Sequence, residues 1–481
     1  MKTKTAKTLQ NLRIFSQWVF TLLFLCLFLL PFLSSSAKGP ATQYFFYSDP
    51  LLFINGLILT KTISILFLLS IIPLVLTLFL GKFFCGWICP MGAMQQMVSW
   101  IAGSSKAWKE GPDKHLLRFK YLVLAFIIVT AILGSSFATW ADPFSLLTRS
   151  LAAFLPKNLE GRLAVLPLLP AAVFILILMM NIYRSRFFCN VICPLGALYG
   201  LVSRFGIFRI RTGTACNECH SCSSHCPYGG DAGKYFMKSE CISCFNCAAD
   251  CPSETVEISI GKKGKKPSAN IDPGRRSFFG TVALGVAAAY LPKISYSSGK
   301  GLKVSFLRPP GSLKEKSFLD RCQRCGQCIQ ACPTGFIRPA VSEAGIAGVW
   351  TPVVNAKYGD CEFTCNACTQ VCPSGAIQKI SLEKKQVFKI GTAIVDKDIC
   401  YTHADGFNCS VCRDACPLPQ KAILFRETET WNYQGRKVRV KQIYVDPDIC
   451  TGCGICENVC VRPDEPGIFI TAGDEYRSLI N

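Results

Sequence analysis

The chain has 481 residues, of which 50% are hydrophobic, and a mean hydropathy of +0.31. Such a composition excludes an ordinary soluble enzyme and predicts that much of the chain lies in a bilayer. The 52 Lys and Arg residues exceed the 31 Asp and Glu residues and give a net charge of +21. Because the basic residues flank apolar segments, we interpret them as a membrane orientation signal and expect no nucleic acid partner.

Residues 1–210 contain four apolar segments long enough to cross a hydrocarbon core, which takes about 20 helical residues. They are Phe15–Leu33, Ile63–Leu80, Tyr121–Trp140 and Leu163–Tyr183. Lysines and arginines concentrate before the first segment, between the second and third, and after the fourth. Since cytoplasmic loops carry this excess, we expect a four-helix membrane domain with both ends in the cytoplasm.

An internal repeat divides the membrane domain. The sequence Phe-Phe-Cys-Gly-Trp-Ile-Cys-Pro at 83–90 matches Phe-Phe-Cys-Asn-Val-Ile-Cys-Pro at 187–194. Each CxxxCP copy follows a predicted span on the inner face. We hypothesise that the four repeat cysteines converge as a metal or redox site, with four structural thiols as the alternative. These residues are Cys85, Cys89, Cys189 and Cys193.

An Asp-Pro pair precedes each CxxxCP copy, at Asp49-Pro50 and Asp142-Pro143. We expect both aspartates to lie just outside the membrane, where they are candidate proton acceptors for a quinol. Helix capping is the alternative, because Asp followed by Pro is a favoured pair at the start of a helix.

Residues 211–260 hold two consecutive CxxCxxCxxxCP motifs, which predict a cytoplasmic two-cluster ferredoxin. Three thiolates of such a motif bind one 4Fe-4S cubane and the fourth binds the other. We therefore expect Cys251 to complete the first cluster and Cys226 the second. The predicted ligands are Cys216, Cys219, Cys222, Cys226, Cys241, Cys244, Cys247 and Cys251.

The sequence argues against haem, both as a c-type haem and as a bis-histidine haem b. Residues 216–220 also spell the CxxCH of c-type haem attachment, but their cysteines are already needed as cluster ligands. None of the four histidines lies within a predicted span, which excludes a bis-histidine haem b in this chain.

Residues 261–300 combine a lysine-rich linker with a short apolar segment, Ser277–Leu291, that directly follows Arg275 and Arg276. This string resembles a twin-arginine export signal. Export in the folded state suits a domain that receives its clusters in the reducing cytoplasm. We expect a signal or anchor helix here, and a basic cap on an ordinary helix is the alternative.

Residues 301–481 hold four further motifs, two with extended first gaps and one, the last, with Val461 in place of the proline. A disulfide domain is the alternative in an oxidising compartment. The short CxxC loops instead gather several thiolates at one point and predict four more clusters. The predicted ligands are Cys322, Cys325, Cys328, Cys332, Cys361, Cys365, Cys368, Cys372, Cys400, Cys409, Cys412, Cys416, Cys450, Cys453, Cys456 and Cys460.

The predicted fold is therefore a membrane α-helical domain of four spans, a twin-arginine signal or anchor helix, and two α+β ferredoxin-like iron-sulfur domains. Together the six motifs predict six 4Fe-4S clusters, with an extra metal at the CxxxCP cysteines as a further hypothesis.

These motifs resemble those of two protein families. The membrane domain with its ferredoxin resembles NapH, the membrane quinol dehydrogenase component of the periplasmic nitrate reductase system. The remainder, including Leu-Arg-Pro-Pro-Gly at 307–311, resembles NapG. MauN and MauM of methylamine oxidation are similar. The chain thus looks like a fusion of the two families, from which it departs at Asn190 and Val191, where the first repeat has Gly86 and Trp87.

The resemblance implies a bacterial inner-membrane protein with a cytoplasmic ferredoxin and a periplasmic four-cluster domain. It implies oxidation of menaquinol or ubiquinol from the quinone pool and delivery of electrons to a periplasmic cytochrome or molybdenum reductase. One alternative is a metal-reducing assembly factor similar to CcoG. Another is a NosR-like accessory electron donor, but that family has a flavin site, and we expect neither flavin nor haem here.

Overall fold

The structure is a computed structural model that describes residues 3–33, 42–60, 65–102, 114–154, 168–213, 216–217, 219–230, 238–260, 274–297, 306–341, 343–431, 435–462 and 465–472. The chain forms two compact units. The first comprises Met1–Leu33, Ala41–Ala153 and Leu168–Leu291, and the second consists mainly of Pro292–Asn481.

Helices dominate the first unit. They are α1 (Thr3–Leu33), α2 (Gln43–Tyr47), α3 (Pro50–Thr60), α4 (Ile71–Leu80), α5 (Phe83–Trp87), α6 (Pro90–Ile101), α7 (Lys114–Ile132), α8 (Ala138–Ala141), α9 (Pro143–Ala153), α10 (Leu168–Tyr183), α11 (Pro194–Phe205), α12 (Ser221–Ser224), α13 (Asn246–Ala249) and α14 (Arg275–Ser297). A 3-10 turn, Ile65–Ser70, leads into α4, and a π-helical turn, Phe188–Ile192, precedes α11.

Two helices are long and apolar enough to cross a membrane, over Lys4–Leu30 in α1 and His115–Ile132 in α7. Shorter apolar helices cover Pro50–Leu59, Phe67–Leu80 and Pro170–Tyr183. Of the predicted spans, residues 63–64 and 163–167 lie outside the described residues.

The prediction for the third span is wrong at both ends. Helix α7 begins at Lys114, so that His115 lies in its first turn, and it ends at Ile132 rather than Trp140. Gly134 adopts a φ of +83°, its N–H donates to the carbonyl of Ala131 at 3.0 Å, and the N–H of Ser135 donates to the carbonyl of Thr130 at 2.8 Å. This arrangement of a left-handed glycine and two backbone bonds closes the helix.

Each repeat contains a short helix that starts at its Asp-Pro pair and lies outside the predicted spans. Helix α3 follows Asp49 in the first repeat, and α9 follows Asp142 in the second. Both begin with proline at the first helical position, where its missing N–H costs nothing.

Helix α14 contains the predicted signal segment and extends beyond it to Ser297. It packs on α7, since a Cβ on Gly285 would lie 3.1 Å from Cγ1 of Val129. The hydroxyl of Ser135 also donates to the carbonyl of Ala289, which is fully buried, at 3.3 Å. The close approach of a glycine to a valine fixes α14 against the first unit.

Short antiparallel strand pairs frame the cysteine motifs. In the first unit β1 (Phe208–Thr212) pairs with β2 (Val256–Ile260). In the second unit the pairs are β3 (Ile337–Pro339) with β4 (Pro352–Val354), β5 (Thr392–Val395) with β8 (Ile468–Thr471), and β6 (Ile423–Trp431) with β7 (Lys437–Val445). The short helices of the second unit are α15 (Glu315–Arg321), α16 (Gln327–Ala331), α17 (Gly345–Gly348), α18 (Ala367–Gln370), α19 (Leu382–Gln386), α20 (Val411–Asp414) and α21 (Ile455–Asn458).

A buried arginine organises the start of the second unit. Arg308 is 1% exposed, and its Nε and Nη2 donate to the two carboxylate oxygens of Glu315 at 2.9 and 2.5 Å. Its Nη1 donates to Thr351 and to the carbonyl of Pro352. Arginine suits this place because its planar fork satisfies several acceptors at once.

Candidate metal centres

The two CxxxCP repeats come together in the first unit. Their four cysteines line one cavity, which we call the four-cysteine site. Lys82, Arg186 and Pro143 complete part of its wall. Thus each repeat supplies half of the thiols. The four cysteines are Cys85, Cys89, Cys189 and Cys193.

The local fold of each repeat aims its cysteines at the cavity. Cys89 and Cys193 sit at the N-caps of α6 and α11, each followed by proline. The N–H of Gly196 donates to Sγ of Cys193 at 3.3 Å. A Cβ on Gly92 would lie 2.6 Å from the carbonyl oxygen of Cys85, so only glycine permits this packing.

Basic residues immediately before each repeat face the same cavity. Lys82 and Arg186 occupy equivalent positions, both before Phe-Phe-Cys, and are 3% and 1% exposed. The cysteine spacing alone does not point to these two cations, although their repetition at equivalent positions is a usable signal. Nη1 of Arg186 donates to the carbonyl of Cys85 at 3.2 Å. Buried positive charge at this place favours an anionic occupant.

Lys82 also belongs to a buried ionic network around Glu240. The carboxylate accepts from Nζ of Lys82 at 3.0 Å, from Nζ of Lys120, and from the hydroxyl of Tyr121 at 2.8 Å. Burial opposes ionisation of Glu240, but Lys120 and Lys82 hold its pKa below the usual value. Two lysines against one carboxylate leave this network with a net positive charge beside the four-cysteine site.

Two buried guanidinium groups retain donors without an acceptor. Arg186 Nη2 and both Nε and Nη1 of Arg13 have no hydrogen-bond partner, although Arg13 is only 2% exposed. Arg13 interacts electrostatically with Cys244 and Arg186. A buried cation is costly unless an anion compensates it. An iron-sulfur cluster with four thiolate ligands is an anion of this kind, and the donor set fits it.

The thiols themselves also fit such a group. Burial raises the pKa of all four thiols of the four-cysteine site, to about 11 for Cys85, whereas the charge of Lys82 lowers it there. Bound iron would hold the thiols deprotonated. No group of three or more His, Cys, Asp or Glu side chains among the described residues is arranged around a single ion. A cubane holds its thiolates further apart than one ion does.

In the ferredoxin of the first unit, the fourth cysteine of the first motif lies with the second motif. Cys226, Cys241, Cys244 and Cys247 line one cavity. Cys251 lies apart from them, and its Sγ contacts the hydroxyls of Ser253 and Thr255. The exchange of the fourth cysteine at Cys226 is the arrangement of a two-cluster ferredoxin.

The four-cysteine site and this ferredoxin cavity are neighbours. Both cavities are lined by Pro227, Tyr228 and Ile242. A Cβ on Gly86 would lie 2.3 Å from the carbonyl oxygen of Ile242, so the first repeat touches the second cysteine motif directly. Backbone contact through a glycine keeps the two sets of cysteines within one layer of side chains.

Each repeat binds a different half of the ferredoxin. Nε1 of Trp87 donates to the carbonyl of Ser243 at 3.1 Å, beside the second motif. Nδ2 of Asn190 donates to the carbonyl of Pro227 at 2.9 Å, beside the first. The two repeats differ at these residues because their binding surfaces on the ferredoxin differ.

In the second unit the first two motifs form a pair that exchanges fourth cysteines. Burial has the largest effect on the pKa of Cys328 and raises it. The charges of Cys325, Cys372 and Cys322 raise it further, so these cysteines lie close to Cys328. In the same way, burial and then the charges of Cys361, Cys332 and Cys365 raise the pKa of Cys368. We call these groups site A (Cys322, Cys325, Cys328, Cys372) and site B (Cys332, Cys361, Cys365, Cys368).

The last two motifs form a second pair of the same kind. Burial and then the charges of Cys400, Cys409 and Cys460 raise the pKa of Cys412 to about 12. These four cysteines also line one cavity. Burial and the charges of Cys361, Cys450 and Cys416 raise the pKa of Cys453 to about 12. We call these groups site C (Cys416, Cys450, Cys453, Cys456) and site D (Cys400, Cys409, Cys412, Cys460).

Sites B and C touch through the backbone. The N–H of Cys361 donates to the carbonyl of Cys453 at 2.8 Å, and Nδ2 of Asn458 donates to Oδ1 of Asp360 at 2.9 Å. The exchanged cysteines join A to B and C to D, so the four sites follow one another in the order A, B, C, D. None of the described cysteines is paired in a disulfide.

Asp49 and Asp142 are buried inside the first unit. Both are 0% exposed. Oδ1 of Asp49 accepts from the N–H of Leu51 at 2.7 Å, and Oδ2 of Asp142 accepts from the N–H of Ser145 at 2.7 Å. The aspartates therefore cap α3 and α9, and each uses one oxygen to do so.

Models of known families match the CxxxCP repeats and the motifs of the second unit. A 4Fe-4S binding domain matches residues 62–108 and 165–213, which include the two CxxxCP repeats. A 4Fe-4S dicluster domain matches residues 321–377, and another matches residues 406–462. These segments contain the motifs of sites A and B and most of those of sites C and D.

Several known proteins are similar to the chain. Ferredoxin-type protein NapG of Escherichia coli strain K12 is 36% identical over 212 residues, which cover 42% of this chain and 87% of NapG. Methylamine utilization ferredoxin-type protein MauM of Methylobacillus flagellatus is 32% identical over 42% of this chain and 85% of MauM. Putative electron transport protein YccM of Escherichia coli is 30% identical over 42% of this chain and 57% of YccM.

No solved structure matches the chain. The 4Fe-4S domain matches, the grouped thiols and these relatives agree on an iron-sulfur protein of electron transfer. The chain belongs to the family of the ferredoxin-type proteins NapG and MauM.

Proposed function

We propose that the chain is a membrane quinol dehydrogenase and electron conduit, in which a NapH-like first unit is fused to a NapG-like second unit. The observation that carries the proposal is the shared wall between the four-cysteine site and the ferredoxin cavity. A buried redox site that adjoins both a membrane helix bundle and a ferredoxin suits electron entry from a lipid-soluble donor.

A seventh 4Fe-4S cluster at the four-cysteine site is part of this proposal. When bound, such a cluster accepts and donates single electrons. The residues that would hold it are Cys85, Cys89, Cys189 and Cys193, while Arg186 and Lys82 would compensate its negative charge. The family match over both repeats and the unpaired guanidinium donors support this assignment.

The proposal extends to location and partners. We place the chain in the bacterial inner membrane, with the first ferredoxin in the cytoplasm and the second unit in the periplasm. Helix α14 would act as an anchor, which its packing against α7 supports. The partners would be menaquinol or ubiquinol and a periplasmic cytochrome or molybdenum reductase.

Quinol oxidation is tested with the full chain reconstituted in liposomes. Menaquinol or ubiquinol is added without oxygen, and cluster reduction is followed by the loss of visible absorbance. We expect reduction in the wild type and its loss in a Cys89→Ser, Cys193→Ser variant. If neither quinol reduces any cluster while dithionite reduces them all, the quinol dehydrogenase proposal fails.

A further inference from the structure

Each of the two capping aspartates has an oxygen that capping does not explain. Oδ2 of Asp49 and Oδ1 of Asp142 are buried and have no hydrogen-bond partner. An ordinary N-cap carboxylate uses one oxygen for the helix and leaves the other in water. Here both remaining oxygens are withdrawn from water, and a buried carboxylate oxygen without a donor is costly.

The two carboxyl groups face one another. Burial raises the pKa of Asp49 well above its usual value, and the charge and hydrogen-bonding position of Asp142 raise it further. Two carboxylates that share a dry site cannot both stay ionised, so one of them binds a proton. That proton also gives both unpaired oxygens a hydrogen-bond partner, because a protonated carboxyl donates to the other.

A third unpaired group lies next to this pair. Tyr199 on α11 is 0% exposed and its hydroxyl has no hydrogen-bond partner. Burial, followed by the charge of Asp49 and then those of the repeat cysteines, raises the pKa of Tyr199 well above its usual value. The phenol therefore remains a donor. Asp49 thus interacts electrostatically with Tyr199 on α11 and with Asp142 at the start of α9.

The pair also lies beside the four-cysteine site. Pro143, the residue after Asp142, lines that cavity. The ring of Tyr199 lies 5.4 Å from the ring of Phe84, which precedes Cys85. The repeat equivalent of Tyr199 is Gln95, which is also 0% exposed and has no partner for its side-chain amide. The carboxyl pair and the four-cysteine site are therefore linked through Pro143 and through the contact of Tyr199 with Phe84.

We propose that Asp49 and Asp142 form a single carboxyl pair that shares one proton and accepts a second when the four-cysteine site is reduced. The shared proton is held between Oδ2 of Asp49 and Oδ1 of Asp142. The second proton binds whichever of the two groups is still a carboxylate, so that both aspartates become carboxylic acids. Two aspartates from two repeats therefore act as one proton site rather than as two.

The protons and electrons of a quinol balance with this site. The proton uptake rests on the cluster that we propose at the four-cysteine site, and only the use of a quinol rests on the proposed quinol oxidation. Oxidation of one quinol to a quinone releases two electrons and two protons. Each electron would pass from the quinol to the four-cysteine site; as it does so, one quinol O–H bond breaks and one O–H bond forms on the pair, which changes from singly to doubly protonated. The pair returns that proton to water before the second electron leaves.

The test uses infrared difference spectra of the intact protein, recorded between electrochemically oxidised and reduced states. No quinol is present, so the result is independent of quinol oxidation. We expect a carboxylic C=O band that appears on reduction and shifts in D2O. This band should vanish in Asp49→Asn and in Asp142→Asn. Asparagine is chosen because it still caps a helix, so that α3 and α9 should remain folded. Asp396→Asn is the matched control, because Oδ1 of Asp396 accepts from the N–H of Asp398 in a turn of the second unit.

A second readout is the midpoint potential of the signal that the Cys89→Ser, Cys193→Ser variant lacks. One proton per electron makes this potential fall by about 59 mV for each tenfold drop in proton activity. We expect that slope in the wild type and a flat response in both Asp→Asn variants that retain full iron. A wild-type potential independent of pH, or a carboxylic band that survives in both variants, would overturn the proposal.

Discussion

Loss of the four-cysteine site should remove one cluster and leave the rest. The perturbation is the double substitution Cys89→Ser, Cys193→Ser, which takes one ligand from each repeat. The motif spacing predicts one cluster on Cys216, Cys219, Cys222 and Cys251, and the structure groups the other cysteines except Cys26 into six sets of four. Full loading of these seven sets corresponds to about 28 iron atoms per chain. The variant should retain about 24, a loss of one seventh.

Serine is chosen because it is close in size to cysteine and suits the N-cap position that both cysteines occupy. Both residues are N-caps, of α6 and α11, and serine is a preferred N-cap. The helices should therefore form in the variant. A fall in iron content then reports on ligation rather than on the fold.

The assay compares iron per chain by mass spectrometry with the spectrum of the reduced clusters. Cys26→Ser is the matched control, since Cys26 is exposed on α1 and belongs to none of the seven sets. A Cys409→Ser, Cys412→Ser variant of site D gives the size of a one-cluster loss. If the CxxxCP variant has the same iron content and spectrum as Cys26→Ser, the four-cysteine site binds no cluster.

Three further variants test the packing around the sites. Gly86→Ala should destabilise the contact between the first repeat and the ferredoxin by about 1–3 kcal/mol, because the new Cβ meets Ile242. Gly280→Ala on α14 is the control, since its Cβ meets no atom within 4 Å. Thermal unfolding compares the two variants. Glu240→Gln should cost about 3–5 kcal/mol by leaving Lys82 and Lys120 buried without their counter-charge, whereas an unchanged melting temperature would refute that role. Arg308→Met should destabilise the second unit by a similar amount, about 3–5 kcal/mol, measured by denaturant unfolding, with exposed Arg439→Met as the control.

The sequence predicted the cysteine motifs well because their spacing is itself the chemistry. A CxxC loop is short enough to direct two thiolates to one cluster wherever the chain goes next. The pairing of the four later motifs was open, because it depends on long-range contacts such as that between Cys361 and Cys453. No local pattern encodes which motif lies beside which.

The short helices α3 and α9 were missed for a different reason. Each has only 11 residues, well below the length that crosses a membrane, so neither forms an apolar segment that predicts a span. The Asp-Pro pairs marked where they begin, but the helices themselves bury those aspartates. That the aspartates face one another follows from the packing of two repeats, which neither repeat reveals alone.

The two repeats share the cysteines of the four-cysteine site and differ at the residues that bind the ferredoxin. Both keep the two cysteines, the proline after each second cysteine, a basic residue before Phe-Phe-Cys and an earlier Asp-Pro pair. The site needs one half from each copy, so either half alone has two thiols and one unpaired carboxyl. At Trp87 and Asn190 the copies diverge, because the two ferredoxin motifs that they bind offer carbonyl groups at different places. A Trp87→Phe variant should therefore weaken attachment at the second motif alone, and Asn190→Ala attachment at the first, as hydrogen exchange of each motif would show. Equal effects of both variants on both motifs would contradict this division.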